Sequence, residues 1–434
     1  MSAPVTSVAG GVDLAARDTL RLCTAGSVDD GKSTFVGRLL HDTHSVLADQ
    51  LDAVERSSKE RGFPGGLDFS LLVDGLRAER EQGITIDVAY RYFATEKRTF
   101  ILADTPGHVQ YTRNTVTGMS TAQLVVLLVD ARNGVVEQTK RHLSAAALLG
   151  VDQVVLAVNK IDLVDFDERV FRGIESEFVS IAARLGIGTA KAVPISALGG
   201  DNVAQRSERT PWYGGETVLE LLETLPVERA EAAALDFRFP VQYVIREHET
   251  DYRGYAGRVA AGAVAVGDEV ALPEGRSARV THVDTPDGPA SSAAAGESVT
   301  LRLDEDVDLA RGDLISAGER PEPTRRISAT LVGLGEAGVR PRQRLTLRYG
   351  PATTTARITA IDDTVDLDGG VAEEDPGELK LNDIAHATVE LQRPLPVEDY
   401  AARGAVGAFL LADQATGDTL AAGLVGRHLT GARG

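Results

Sequence analysis

One short stretch near the N-terminus has the residue types and spacing to hold a polyphosphate. Gly26-Ser27-Val28-Asp29-Asp30-Gly31-Lys32-Ser33 matches G-x-x-x-x-G-K-[ST], and Thr34 follows it. In such a loop the glycines let the backbone curl until successive N–H groups face one anion. The helix opening behind it adds the partial positive charge of its N-terminus. Lys32 is placed to reach β- and γ-phosphates, and the Ser33 hydroxyl to hold Mg²⁺. Composition sharpens this reading. The chain has 7 lysines against 38 arginines, yet Lys stands at 32 and again at 160, where a compact ammonium differs most from a planar fork.

Further segments complete a nucleotide site in chain order. Gly83-Ile84-Thr85-Ile86 follows the charged stretch from Arg77 to Gln82, and Thr85 offers a second Mg²⁺ ligand once its loop closes over a triphosphate. Asp104-Thr105-Pro106-Gly107-His108 ends the apolar run Phe100 to Ala103. Asp104 can hold Mg²⁺ through water, and the Gly107 amide can bind a γ-phosphate and release it on hydrolysis. Asn159-Lys160-Ile161-Asp162 follows the run Val154 to Val158. A carboxylate at Asp162 can accept from both the N1–H and the exocyclic amine of guanine, a donor pair that adenine lacks. Ser196-Ala197-Leu198, after Pro194-Ile195, offers a backbone N–H to the guanine O6. Each segment is weak alone; their order carries the expectation of GTP with Mg²⁺.

Other groupings read more plainly. His41 and His44 would lie three apart on a helix with no acidic general base beside them. Cys23 reads as a core residue, Trp212-Tyr213 as loop packing, and Asp304 to Asp308 as a solvated turn.

The elements that must position these loops change character along the chain. From Leu20 to about Glu228, the apolar runs Leu20–Ala25, Phe100–Ala103, Leu124–Val129, Val154–Val158 and Ala192–Ile195 alternate with helix-like stretches such as Thr34–Gln50 and Glu137–Leu149. That pattern predicts a mostly parallel α/β sheet, and with the phosphate loop and guanine motifs above it makes this part an α/β P-loop GTPase domain. After Pro226, short strands between glycines predict two antiparallel β-barrel domains. The expected divisions are a tail over 1–18, the GTPase domain over 19–228, and barrels over 229–322 and 323–434. Pro321-Glu322-Pro323 would link the barrels.

Composition bounds the function. A length of 434 residues suggests roughly three domains, and 43% hydrophobic residues suffice for real cores. A net charge of −19 argues against a nucleic-acid partner. A single cysteine excludes a disulfide framework. The longest apolar run, Leu124 to Val129, is far short of the ~20 residues that cross a bilayer, and no secretory signal opens the chain. The expectation is a soluble, cytoplasmic protein with no membrane association.

Across nearly its whole length the chain resembles the translational GTPase family. Arg253-Gly254-Tyr255-Ala256-Gly257-Arg258-Val259 followed by Val266-Gly267-Asp268-Glu269-Val270 is similar to the first barrel of an elongation factor. Three segments point away from translation: Val28 to Thr34, with Asp30 where tRNA-delivering factors usually have His; Arg77 to Phe93; and Ser196 to Val203. Together they resemble the large, GTP-binding subunit of bacterial sulfate adenylyltransferase, a nucleotidyltransferase of sulfate assimilation and cysteine biosynthesis. The resemblance implies that GTP hydrolysis drives synthesis of adenosine 5′-phosphosulfate and pyrophosphate from ATP and sulfate. It implies that His108, from the family's D-x-P-G-H motif, orients the attacking water, with Lys32 and Thr85 completing the catalytic set. No S-G-G-x-D-S loop occurs in the sequence. Adenylyl transfer is therefore assigned to a separate small subunit of ATP-pyrophosphatase type. The competing expectations are an elongation-type factor delivering aminoacyl-tRNA and a purely regulatory switch.

Overall fold

The computed structural model describes residues 18–60, 62–63, 67–73, 87–108, 111–226, 230–247, 252–366, 371–401 and 405–430. The Gly83–Ile86 segment, and with it Thr85, lies outside the described residues, as do residues 1–17 of the expected tail. The chain divides into two compact units. One comprises the described residues through Val136 with Gln153–Phe178 and Thr189–Pro226. The other comprises Glu137–Asp152, Val179–Gly188 and the described residues from 230 on.

The first unit is built on strands β1 (Thr19–Gly26), β2 (Ala89–Ala94), β3 (Thr99–Asp104), β4 (Leu124–Asp130), β5 (Gln153–Asn159) and β6 (Thr189–Pro194). They pair in the order β2-β3-β1-β4-β5-β6, and only β2 runs antiparallel to its neighbour. Every residue of β4 and β5 is buried, which is why Leu124–Val129 and Val154–Val158 within them are unbroken apolar runs rather than alternating ones. Leu22, Phe100, Val126 and Val155 from the sheet pack with Phe35 and Leu39 in one core. The register sets Thr24 beside Asp104, Gly26 beside Leu128 and Asp130 beside Asn159. The loops carrying the motifs therefore leave from the carboxyl ends of adjacent strands, where open α/β sheets bind ligands.

One expected helix is cut in two. The stretch Thr34–Gln50 forms α1 (Lys32–Asp42) and the start of α2 (Ala48–Glu60). His44 takes a left-handed φ of 53°, and Ser45 N–H reaches back 2.9 Å to Leu40 O. That bond is a helix-closing arrangement with His44 in the left-handed position. His44 is consequently off the helix, so the two histidines do not share a helical face.

The second unit contains two closed antiparallel barrels. In the first, Arg238–Glu247, Tyr252–Arg258, Ser298–Leu303, Ser277–Thr285, Glu269–Ala271 and Leu314–Ser316 pair in that order, and the last returns to the first. Phe239, Tyr255 and Leu301 fill it. In the second, the ring runs Pro323–Gly333, Ile384–Pro396, Ala352–Val365, Arg344–Tyr349, Ala408–Asp413, Thr419–Val425 and back. Leu345, Ile358 and Leu411 lie in its core. Closure leaves neither ring with an open edge. Pro323, expected in the linker, already begins a strand, a position where its missing N–H is tolerated. Arg238, 3% exposed, is held by both carboxylate oxygens of Glu398 at 2.6 and 2.7 Å and by the carbonyls of Phe237, Ala317 and Glu319. No helix among the described residues is long and apolar enough to cross a membrane.

Candidate nucleotide site

The phosphate loop turns between β1 and α1 with Asp29 at φ 67° and Gly31 at φ 88°. Gly31 must be glycine twice over: its φ is left-handed, and a Cβ would collide with the Asn159 side-chain amide. Asp30 is buried, and its Oδ2 accepts the Ser27 N–H at 2.6 Å. Burial raises its carboxyl, opposed by the Ser27 amide and the Lys32 charge. Ser33 and Thr34, half-buried, occupy the first turn of α1. Val28 is exposed at the crest of the loop.

Lys32 is buried, and its Nζ donates to Gly26 O at 2.9 Å and Ser27 O at 2.7 Å. Burial lowers its ammonium below the ordinary range, while Asp104, Asp30 and Asp29 pull the other way. Gly107 lies directly on this arrangement. A Cβ there would strike Lys32 Nζ and come within 2.7 Å of Gly26 O. The Asp104–His108 segment is tied down by Thr24 Oγ1 donating to Asp104 Oδ1 at 2.7 Å and by Thr105 Oγ1 donating to Thr24 O at 2.6 Å. His108 is exposed, its ring 6.2 Å from that of Tyr111.

The two predicted base-recognition loops meet through one side chain. Asn159 Nδ2 donates to Asp30 O at 2.8 Å, and Asn159 Oδ1 accepts the Ala197 N–H at 2.9 Å. It thereby joins the phosphate loop to the Ser196–Leu198 turn. Lys160, at φ 59°, lies across the phosphate loop, with Nζ 2.5 Å from Asp29 O and 3.0 Å from Asp130 Oδ2. Arg132 holds the Asp130 carboxyl well below the usual carboxylate range. Asp162 is half-buried in the 3₁₀ turn Ile161–Val164. Sequence reasoning missed Asp130, which anchors Lys160. Its position directly after the apolar run to Val129, at a strand's carboxyl end, was the available signal.

Among the described residues no group of three His, Cys, Asp or Glu side chains is poised around one metal. The oxygens of Ser33 and Asp104 nevertheless suit a hard cation that takes its other ligands from phosphate and water, as Mg²⁺ does.

Loops of this kind, ordered this way on such a sheet ahead of antiparallel barrels, define an elongation-factor-type GTPase. The family described as "Elongation factor Tu GTP binding domain" matches residues 17–228, and "GTP-eEF1A C-terminal domain-like" matches residues 326–426. Relatives extend the likeness along the chain. "Sulfate adenylyltransferase subunit 1" of Cellvibrio japonicus is 46% identical over 416 residues, covering 95% of this chain and 88% of the relative. The protein of the same name from Chromobacterium violaceum is 47% identical over 414 residues, covering 94% and 86%. "Bifunctional enzyme CysN/CysC" of Mycobacterium tuberculosis is 48% identical over 417 residues, covering 95% and 68%. The chain belongs to the sulfate adenylyltransferase subunit 1 family.

Proposed function

We propose that this chain is the GTPase subunit of a sulfate adenylyltransferase, binding GTP–Mg²⁺ where the loops of β1, β3, β5 and β6 converge. The observation that carries the site is Asn159, which clamps the phosphate loop to the turn expected at the base. Lys32 would exchange its two neutral carbonyl partners for β- and γ-phosphate oxygens, a charge-assisted pairing stronger than either. Asp162 would take the guanine N1–H and amine, and the 196–198 turn would meet O6. Ser33, Asp104 through water, and Thr85 would hold Mg²⁺, which when bound neutralises charge on the phosphates. His108, exposed beside the Lys32–Gly107 contact, would orient the attacking water. Release of the γ-phosphate would leave the Gly107 amide without its anion and free the segment that follows it.

GTP hydrolysis, yielding GDP and phosphate, would then drive the reaction of ATP with sulfate to adenosine 5′-phosphosulfate and pyrophosphate. Adenylyl transfer would fall to a separate small subunit of ATP-pyrophosphatase type, a reading supported by the lack of an S-G-G-x-D-S loop in this sequence, and the chain itself would work in the cytoplasm. The test is to incubate ATP, sulfate and GTP with the chain, with such a subunit, and with both. Product is expected from the mixture and to rise with GTP. Product from the chain alone, or a mixture indifferent to GTP, overturns the assignment.

A further inference from the structure

We infer that Arg38 is a positioning residue for guanine recognition: it holds the Ser196–Gly199 turn so that the Leu198 amide faces the base. The inference deepens the GTP reading above and rests on it.

Arg38 stands on α1, the helix that opens with Lys32, but its guanidinium serves a loop far away in sequence. Nε donates to Ala197 O at 3.0 Å, and a terminal nitrogen donates to Leu198 O. The guanidinium carbon lies 4.0 Å from the centre of the Phe69 ring, which fixes the plane of the fork. The remaining contact, Asp42 at 3.5 Å, is an ordinary pairing along one helix and contributes little.

Two carbonyls drawn to one side determine where the neighbouring amides point. In a planar trans peptide the C=O and N–H face opposite ways, and every peptide bond described is trans. With Ala197 O turned toward Arg38, the Leu198 N–H must point away from it. With Leu198 O turned likewise, the Gly199 N–H must also point away from Arg38, and it is taken up by Ser196 Oγ at 3.1 Å. The other amides of the turn are committed: Ser196 N–H to Asp201 O, Ala197 N–H to Asn159 Oδ1 and Gly200 N–H to Ser196 O. Among the described residues, Leu198 N–H is the one amide of this turn without a partner. A carbonyl acceptor such as guanine O6 suits it. The two-pronged grip needs a planar fork, which the point charge of lysine cannot reproduce.

The test measures GTP, ATP and inorganic tripolyphosphate affinities, all with Mg²⁺, for the full chain and for Arg38→Met and Arg38→Lys. Arg38→Met should weaken GTP at least about tenfold, as expected for a lost charge-assisted contact and a misaimed amide, and leave tripolyphosphate unchanged. Arg38→Lys should recover only part of the loss. Equal weakening of GTP and tripolyphosphate would show a merely structural role, and unchanged GTP affinity would remove Arg38 from base recognition; either overturns the inference. A parent chain that binds ATP as tightly as GTP would sink the underlying GTP reading itself, a failure visible before any variant is made.

Discussion

Two buried cations in this molecule are partnered in opposite ways. Lys32 rests on two neutral carbonyls of its own loop, Gly26 and Ser27, with the Asp104, Asp30 and Asp29 charges nearby. Arg238, in the barrel unit, has a bidentate carboxylate and three carbonyls on its fork. A buried charge served by neutral groups still gains from meeting an anion; one already paired and fully hydrogen-bonded does not. On the GTP reading proposed above, the difference separates Lys32, kept for a ligand, from Arg238, spent on architecture. It also accounts for the residue types, since a compact ammonium can swap partners whereas a fork is committed by its geometry.

Four variants test that contrast. Lys32→Ala should have the largest effect, weakening GTP by at least about 100-fold while leaving a cooperative unfolding transition in place. Calorimetric titration checks this, and retained affinity would make Lys32 another structural cation. Arg238→Ala should do the reverse. Leaving Glu398 without its partner should cost about 3 kcal/mol in denaturant unfolding, with GTP affinity unaltered. Replacing the pair together, Arg238→Met with Glu398→Leu, should recover most of that loss; a double variant no better than the single would mean the pair stabilises beyond its own compensation. His108→Ala sharpens the comparison on the reactive side. Single-turnover hydrolysis should slow by about 100-fold at unchanged GTP affinity, and an unaltered rate would leave His108 outside the chemistry.

Much of the candidate nucleotide site could be proposed from the sequence because each of its parts is contiguous. The phosphate loop, D-T-P-G-H, N-K-I-D and S-A-L each need only a few neighbouring residues at the end of a strand. The run into N-K-I-D is apolar because β5 is covered on both faces, whereas β1 and β6 each keep one exposed cation, Arg21 and Lys191. The helix break at His44 was hidden, because residues 34–50 keep a helical texture and the stop depends on one residue's left-handed φ. Arg38 was hidden for another reason: its partners lie 159 and 160 positions away, and no local pattern marks a residue that serves a distant loop.

The amino-acid order by itself determined which residues could carry the chemistry and which kind of sheet would present them, since motif spacing and burial pattern are properties of adjacent residues. Tertiary structure alone decided that Asn159 would clamp the phosphate loop to the Ser196 turn, that Lys32 would wait on two carbonyls beneath Gly107, and that Arg238 would be consumed by Glu398. Those outcomes depend on which strands lie side by side and in what register, and short-range propensities do not encode either.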